Sequence, residues 1–284
     1  MSDGALYVCG TPIGNLGDIT LRALDILKEV DLIAAEDTRR TQKLLNHYQI
    51  KTKLTSYHEH NALSKSKQLL SKIEEGFNIA LVSDAGMPGI SDPGYELIKL
   101  LRKQSINVIP IPGPTAVTSS LVVSGLATDR FVFEGFLPRK NKERKGYLEQ
   151  LKAEERTIVC YEAPHRLVAT LKDILEILGD REIVVCRELT KKFEEKVDGL
   201  VSEVLEKFQR KAPQGEITFV LEGKQGKQQE LEGPNWKGLS ILEHLKQRME
   251  EGLTKKEAIK KVAQERDLPK SEVYQIGIKI KVDK

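Results

Sequence analysis

Cysteine, aromatic residues and long apolar runs are scarce in this 284-residue sequence, and each shortage excludes a class of protein. The three cysteines, Cys9, Cys160 and Cys186, lie inside apolar segments at separations that match no zinc or redox motif. We therefore expect buried free thiols, no disulfide and no metal site. No apolar run reaches the length of a membrane span, and no basic region precedes the first apolar run at 5–9. These features predict a cytoplasmic protein without a membrane partner.

Net charge is also small, at +3, which argues against a protein that binds nucleic acid over its whole surface. The charge is unevenly distributed. Residues 239–284 contain eleven Lys and Arg against eight Asp and Glu, so this segment has the same excess as the whole chain. A second basic cluster comprises Arg139, Lys140, Lys142, Arg144 and Lys145. Either cluster could be an ordinary solvated surface or a contact with phosphate groups.

Short apolar runs and amphipathic segments alternate in two successive sets, a pattern typical of α/β folds. The first set predicts a mostly parallel sheet with strands at 5–9, 32–35, 53–56, 79–82 and 108–111. In the second set the helical segments are fewer, which favours a mixed sheet. Its predicted strands are at 131–136, 157–161, 183–186, 196–200 and 217–221.

This organisation predicts two α/β domains and a small helical appendage. We expect an N-terminal domain at 1–128, a C-terminal domain at 129–223, a linker at 224–238 and a basic helical tail at 239–284. Asp92 followed by Pro93 is typical of a helix start. In the tail, Thr254 with Glu257 predicts a capping box, and Ser271 predicts the cap of a final helix.

Four loops rich in Gly, Pro and small polar residues follow predicted strands of the first sheet. They are GTPIGN at 10–15, EDTRR at 36–40, SDAGMPG at 83–89 and PGPT at 112–115. Ligands of open α/β sheets bind at this edge, although each loop alone could be a mere tight turn. The sequence lacks both Gly-x-Gly-x-x-Gly and a Walker-type Gly-Lys-Ser/Thr, which disfavours NAD, ATP and the common Rossmann-type methyltransferases. The residues alone predict a small, uncharged to cationic ligand.

Longer blocks of the sequence resemble the ribosomal RNA small subunit methyltransferase I family, within the tetrapyrrole-methylase superfamily. These blocks are YVCGTPIGNLGDITLRALDILKEVDLIAAEDTRRTQKLL, SYHEHN, LVSDAGMPGISDPG, PIPGPTAVTSSLVVSGL, FEGFLPRK, YEAPHRL, CRELTKKFEE and GEITFVLEG. The resemblance extends from about Leu6 to Gly223, and the tail is also similar to that family's C-terminal extension. It implies an S-adenosylmethionine-dependent enzyme, generally homodimeric, that methylates a cytidine ribose 2′-hydroxyl of 16S ribosomal RNA near the decoding centre.

The resemblance also implies site residues. We expect the methyl donor in a cleft between the two domains, in contact with Pro12, Ser83, Asp84, Ala85, Thr115, Ala116, Glu162, Glu188, Glu216 and Ile217. Candidates for chemistry on the hydroxyl are Glu36, Asp37, Arg39 and His58, with His60 as an alternative to His58. Candidates for RNA binding, to free ribosomal RNA or to the 30S particle, are Arg40, Arg139, Lys140, Arg166, Lys255 and Lys256.

Each of these roles has an alternative. The carboxylates could cap a helix and neutralise nearby arginines, and the histidines could be ordinary polar loop residues. A tetrapyrrole or diphthine methyltransferase would share the proline-glycine loops, and a non-catalytic RNA-binding protein would need only the basic tail. The first alternative leaves the tail unexplained, and the second leaves the four ligand loops unexplained.

Overall fold

A computed structural model describes residues 4–225 and 239–278, and the chain divides into compact units at 1–224 and 225–284. The first sheet of unit 1 contains β1 Leu6–Cys9, β2 Leu32–Ala35, β3 Leu54–Ser56, β4 Ile79–Val82 and β5 Val108–Ile111. Its strands are all parallel, in the order β3-β2-β4-β1-β5. The predicted parallel sheet is therefore confirmed.

Helices cover both faces of this sheet. They are α1 Leu21–Glu29, α2 Thr38–His47, α3 Ala62–Glu74 and α4 Tyr95–Lys103. A short 3-10 helix at Leu16–Asp18 and the helix α5 Ala116–Ser124 complete this part of the chain. Successive strand residues pack into opposite cores. Ala80 and Val82 of β4 lie in one core, whereas Ile79 and Leu81 lie in the other. Burial on both faces explains why the strands are continuous apolar runs.

The second sheet is mixed, as predicted. It contains β6 Phe131–Phe136, β7 Thr157–Glu162, β8 Glu182–Arg187, β9 Glu195–Leu200 and β10 Ile217–Leu221, in the order β6-β7-β10-β8-β9. Only β6 and β7 pair in parallel; the other neighbours are antiparallel. The helices of this part are α6 Asn141–Leu151, α7 Pro164–Leu178 and α8 Val201–Arg210. Cys9, Cys160 and Cys186 are buried free thiols.

Helix α5 joins the two sheets. It follows the last strand of the first sheet, and its Val117 and Leu121 pack with Val159 and Val220 of the second. Both sheets therefore belong to one compact unit, and the division into domains at 128 and 129 stays a prediction.

The described part of unit 2 forms a three-helix cluster. Helices α9 Ile241–Glu250, α10 Lys255–Glu265 and α11 Lys270–Gly277 enclose a small apolar core. The capping box of Thr254 and Glu257 is confirmed. The predicted cap at Ser271 is wrong, because α11 begins at Lys270, two residues earlier than such a cap requires, and it follows Pro269, whose carbonyl accepts the Glu272 amide. Most of the predicted linker, 226–238, and the end of the tail, 279–284, lie outside the described residues.

No helix in the described part of the chain has the length and apolar character needed to cross a membrane.

Candidate active site

Close backbone contacts join the loops that follow β1, β4 and β5. A Cβ atom on Gly10 would lie 2.7 Å from the Cα atom of Gly113, so only glycine fits there. Thr11 and Gly86 exchange two backbone hydrogen bonds, at 2.9 and 3.0 Å. The three loops therefore form one continuous floor at the carboxyl edge of the first sheet, where open α/β sheets bind ligands.

A cavity of about 680 Å³ lies above this floor, within the usual size of a small-molecule site. The first sheet and its loops contribute Ile13, Glu36, Arg40, Asp84, Ala85, Gly86, Met87, Asp92, Thr115 and Ala116 to its lining. The second sheet and its loops contribute Phe131, Phe133, Phe136, Tyr161, Glu162, Glu216 and Ile217. The two sheets thus share one site inside unit 1.

Many of the residues predicted from the sequence meet in this cavity. They are Glu36, Arg40, Asp84, Ala85, Thr115, Ala116, Glu162, Glu216 and Ile217. The others do not line it. These are Pro12, Asp37, Arg39, His58, Ser83, Glu188, Arg139, Lys140, Arg166, Lys255 and Lys256.

Three carboxyl groups form the acidic side of the cavity. Burial raises the pKa of Glu36, and the nearby Asp84 carboxylate raises it further. Burial also raises the pKa of Asp92, to about 7, and the charges of Glu36 and Asp84 add to this effect. Asp84 has two fixed partners: its Oδ1 accepts a hydrogen bond from the Asp37 amide at 3.0 Å, and its Oδ2 lies 3.3 Å from the Arg40 guanidinium.

An aromatic wall from β6 and β7 forms another part of the lining. The Tyr161 ring lies 4.9 Å from that of Phe133 and 5.5 Å from that of Phe136, measured between centroids. Phe136 is 55% exposed although it lines the cavity, so its ring is accessible to a ligand. Such surfaces suit planar aromatic groups.

Asp37 and Arg39 lie outside the cavity and interact with each other. Asp37 caps α2, since its carboxylate accepts the Arg39 amide at 2.8 Å, and it also pairs with the Arg39 guanidinium at 3.0 Å. These contacts lower the pKa of Asp37 to about 2. A carboxylate held in this way binds a proton weakly, so the geometry matches the alternative of a helix cap.

His58 also lies beside the cavity lining. Its backbone amide donates to the Asn61 side chain at 2.9 Å, and its Nε2 lies 3.3 Å from the amide nitrogen of that residue. Among the described residues, its buried Nδ1 has no hydrogen-bond partner. The His58 ring is 6.0 Å from that of His60, and a charge on His58 lowers the pKa of Glu36 in part.

The predicted cavity residue Glu162, at the end of β7, is held by protein contacts. The buried Glu162 carboxylate accepts hydrogen bonds from the Ala163 amide and the Thr170 hydroxyl. Its Oε1 also lies 3.2 Å from Nε of Arg166, an ion pair without hydrogen-bond geometry. The Arg166 guanidinium donates to the Leu137 carbonyl at 2.6 Å. Arg166 therefore braces the loop after β6, and its predicted role in RNA binding has no support in these contacts.

Glu188 acts on the cavity indirectly. Its Oε1 accepts the Glu216 amide at 2.8 Å and the Lys191 ammonium at 2.9 Å. A Cβ atom on Gly215 would lie 2.3 Å from the same oxygen, so a glycine is required there. Glu188 thus fixes the strand end that carries Glu216 and Ile217 into the lining. Ser83 acts similarly, since its hydroxyl donates to the Ala85 carbonyl at 3.3 Å.

The basic cluster at 139–145 is only partly a surface feature. Arg144 is buried and pairs with Asp173 at 2.6 Å, and Lys145 pairs with Glu176, also at 2.6 Å. Arg139 and Lys140 are exposed. In the tail, Lys255 and Lys256 begin α10.

The sequence analysis missed Asp92 and the aromatic wall. The expectation of a helix cap at Asp92 is wrong, because α4 begins later, after Gly94, whose φ of 151° lies outside the helical region. Asp92 instead lines the cavity. The blocks SDPG and FEGF contained these residues, and their side-chain chemistry was the available signal.

Comparison with known proteins agrees with this architecture. Residues 5–205 match the family model for Tetrapyrrole (Corrin/Porphyrin) Methylases. Among solved structures, diphthine synthase superposes with a TM-score of 0.59 at 12% identity, covering 77% of this chain and 90% of that one. Uroporphyrin-III C-methyl transferase from Thermus thermophilus, complexed with S-adenyl homocysteine, gives 0.56 at 22% identity, covering 77% and 97%. These distant likenesses show the fold.

Curated relatives are much more similar in sequence. Ribosomal RNA small subunit methyltransferase I of Halalkalibacterium halodurans is 50% identical over 96% of this chain and 94% of its own length. The protein of that name from Synechocystis is 48% identical over 99% of both chains. That from Thermotoga maritima is 54% identical, covering 78% of this chain and 100% of its own. The chain therefore belongs to the tetrapyrrole methylase family and, within it, to the ribosomal RNA small subunit methyltransferase I family.

Proposed function

We propose that this protein transfers a methyl group from S-adenosylmethionine to the 2′-hydroxyl of a cytidine ribose in 16S ribosomal RNA, near the decoding centre of the small subunit. The observation that carries the proposal is one cavity that combines an acidic side and an aromatic wall. Relatives of nearly the same length that are named for the small subunit RNA support the substrate class.

The charge and the apolar surface of the cavity match those of the proposed methyl donor. Glu36, Asp84 and Asp92 provide negative charge for a cationic ligand, and the rings of Phe133, Phe136 and Tyr161 provide an apolar surface for a purine. The tight contact between Gly10 and Gly113 packs the loops after β1 and β5 closely together, which holds the floor of the cavity in place. The sequence contains no Walker-type motif that would bind phosphate groups.

When bound, the donor supplies an electrophilic methyl group on a positively charged sulfur. The protein must then align the ribose oxygen with that group, exclude water and accept the hydroxyl proton. The cavity walls from both sheets provide the enclosure, and the carboxyl groups on its acidic side provide acceptors for the proton.

Basic residues near the cavity are suited to hold the RNA. Arg40 lines the cavity, and it is 63% exposed although it pairs with Asp84. Arg39 is 88% exposed, and Arg139 and Lys140 add exposed positive charge on unit 1. We propose that these residues contact RNA phosphates, with Lys255 and Lys256 of unit 2 as further contacts. We also propose that the enzyme is cytoplasmic, dimeric and acts on the RNA or on the 30S particle.

Mass analysis of nucleosides tests the proposed reaction. Small-subunit RNA from a strain that lacks this gene should contain less 2′-O-methylcytidine than RNA from the parent strain, and expression of the gene should restore it. An inactive variant expressed at the same level serves as the control. An unchanged amount of 2′-O-methylcytidine in the deletion strain would contradict the proposal.

A further inference from the structure

Asp92 occupies a distinctive place in the cavity. It lies in the loop between β4 and α4, it is half-buried, and it belongs to the lining. Ser83, at the end of β4, is close enough to lower the pKa of this carboxyl group in part. Asp92 therefore lies beside the floor of the site, ahead of the first residue of α4.

The surroundings of Asp92 are negative and partly dry. Desolvation raises its pKa to about 7, and the carboxylates of Glu36 and Asp84 contribute to the increase. Tyr161 of β7 lines the same cavity, and burial, followed by the charge of Asp92, raises the pKa of that phenol. The other charged groups nearby act on the neighbours of Asp92. Arg40 forms an ion pair with Asp84, and His58 lowers the pKa of Glu36 in part.

The remaining carboxyl groups are less suited to accept a proton. Asp37 is paired with Arg39, and Asp84 is engaged by the Asp37 amide and by Arg40. The charge of Arg40 lowers the pKa of Glu36 in part, whereas no cationic group of the described residues is among the causes that act on Asp92. Asp92 has only the Ser83 hydroxyl as a partner among the interactions that shift its pKa downwards. General-base catalysis is most effective when the pKa of the base is close to the working pH.

We propose that the Asp92 carboxylate is the proton acceptor for the RNA hydroxyl, an inference that rests on the proposed function. As the hydroxyl oxygen bonds to the methyl carbon, the carbon–sulfur bond breaks and its electron pair stays on sulfur. The hydroxyl proton moves to an oxygen of Asp92, which becomes a neutral carboxylic acid. That proton then passes to water, and the carboxylate is restored.

The Asp92→Asn variant tests this role, because the amide keeps the shape of the side chain and cannot accept the proton in the same way. At saturating donor and RNA we expect kcat to fall by about 10²–10⁴-fold, the usual contribution of a general base. Wild-type kcat should decline as the pH falls through the pKa that Asp92 has in the loaded enzyme, whereas the variant should show no such decline. Asp129→Asn, an exposed loop substitution, is the matched control, with unchanged kcat and pH profile.

A stability measurement checks the variant without any turnover. Because the folded-state pKa of Asp92 lies above the ordinary value of 3.8, ionisation of this group costs stability as the pH rises from about 4 to about 7. Asp92→Asn removes that cost. The melting temperature of the variant should therefore exceed that of the wild type, by a margin that grows over this pH range and is constant above it.

The outcomes separate the two proposals. A normal kcat and pH profile in Asp92→Asn, with an active wild type, would overturn the role of Asp92 and leave the proposed function intact. An equal melting temperature difference at every pH would also overturn it, because the group would not have the raised pKa. Absence of methyl transfer to small-subunit RNA by the wild type would overturn the proposed function itself.

Discussion

A cationic methyl donor should bind less tightly as the pH falls from 8 to 5.5. The pKa of Asp92 in the free protein is about 7, so this carboxyl group is mostly protonated at the lower pH. A positive ligand in the same cavity favours its ionised form, and the proton must leave before the attraction is gained. Glu36, whose pKa is also raised, acts in the same direction.

The size of the cavity gives the magnitude. A charge near the middle of a cavity of about 680 Å³ lies roughly 5–8 Å from a wall carboxylate, which corresponds to about 2–3 kcal/mol at an effective dielectric constant near 20. An attraction of this size lowers the pKa of Asp92 in the complex below its value of about 7 in the free protein. The donor should then bind roughly 10–30-fold less tightly at pH 5.5 than at pH 8.

Calorimetry in buffers of different ionisation enthalpy measures both quantities, the affinity and the protons released on binding. The demethylated product is the matched control, since it lacks only the methyl group and the sulfonium charge. We expect proton release near pH 7 with the donor and much less with the product, and a smaller difference between them in Asp92→Asn. Equal pH dependence for donor and product would refute the electrostatic reasoning.

Three other changes probe separate parts of the account. Asp37→Asn should lower the melting temperature slightly, because Arg39 loses its ionic partner and the start of α2 loses a negative charge, although the Asn oxygen can still cap the helix. The kcat measured below that temperature should stay normal, and a loss of kcat without loss of stability would show a direct role. Gly10→Ala should weaken donor binding at least tenfold, because the added Cβ would overlap Gly113. Calorimetry together with a melting curve separates weaker binding from unfolding. Unchanged affinity would contradict the assignment of the floor. A chain ending at residue 238 should keep its donor affinity and show a flatter salt dependence of RNA binding, since it has fewer phosphate contacts; an unaltered slope would mean that the tail is structural.

Local patterns were sufficient to predict the strands of both sheets. Runs such as 32–35 and 79–82 are short, apolar and followed by turn residues, and each coincides with an observed strand. The mixed character of the second sheet was also accessible, because its later strands follow one another with fewer helices between them. These features depend on neighbouring residues and on which of them are buried, and the pattern of apolar residues in the sequence indicates both.

The details that failed depend on contacts between distant residues. Asp92 before a proline fits a helix start, but its carboxyl group interacts with Ser83 on the preceding strand end. Arg144 belongs to a run of basic residues, yet it is buried against Asp173, 29 positions away. Neither partner could be identified from spacing, because the sheet and helix packing determine which side chains meet.

The distinction between Glu36 and Asp37 shows the same limit. The two residues are adjacent, so no pattern of neighbouring residues favours one of them as the functional acid. The structure turns Glu36 into the cavity, where its pKa rises, and uses Asp37 as the cap of α2, where its pKa falls to about 2. A one-residue change in direction at the end of β2 therefore separates two opposite electrostatic environments.

Transfer of an isotope-labelled methyl group to purified 30S subunits from the deletion strain tests the central claim most directly. After incubation with the purified protein and a trideuterated donor, the small-subunit RNA is digested and its nucleosides are analysed by mass spectrometry. The account predicts the label on the ribose of a cytidine, as 2′-O-methylcytidine. Label on a nucleobase, or no transfer to RNA by a protein that binds the donor, would contradict it.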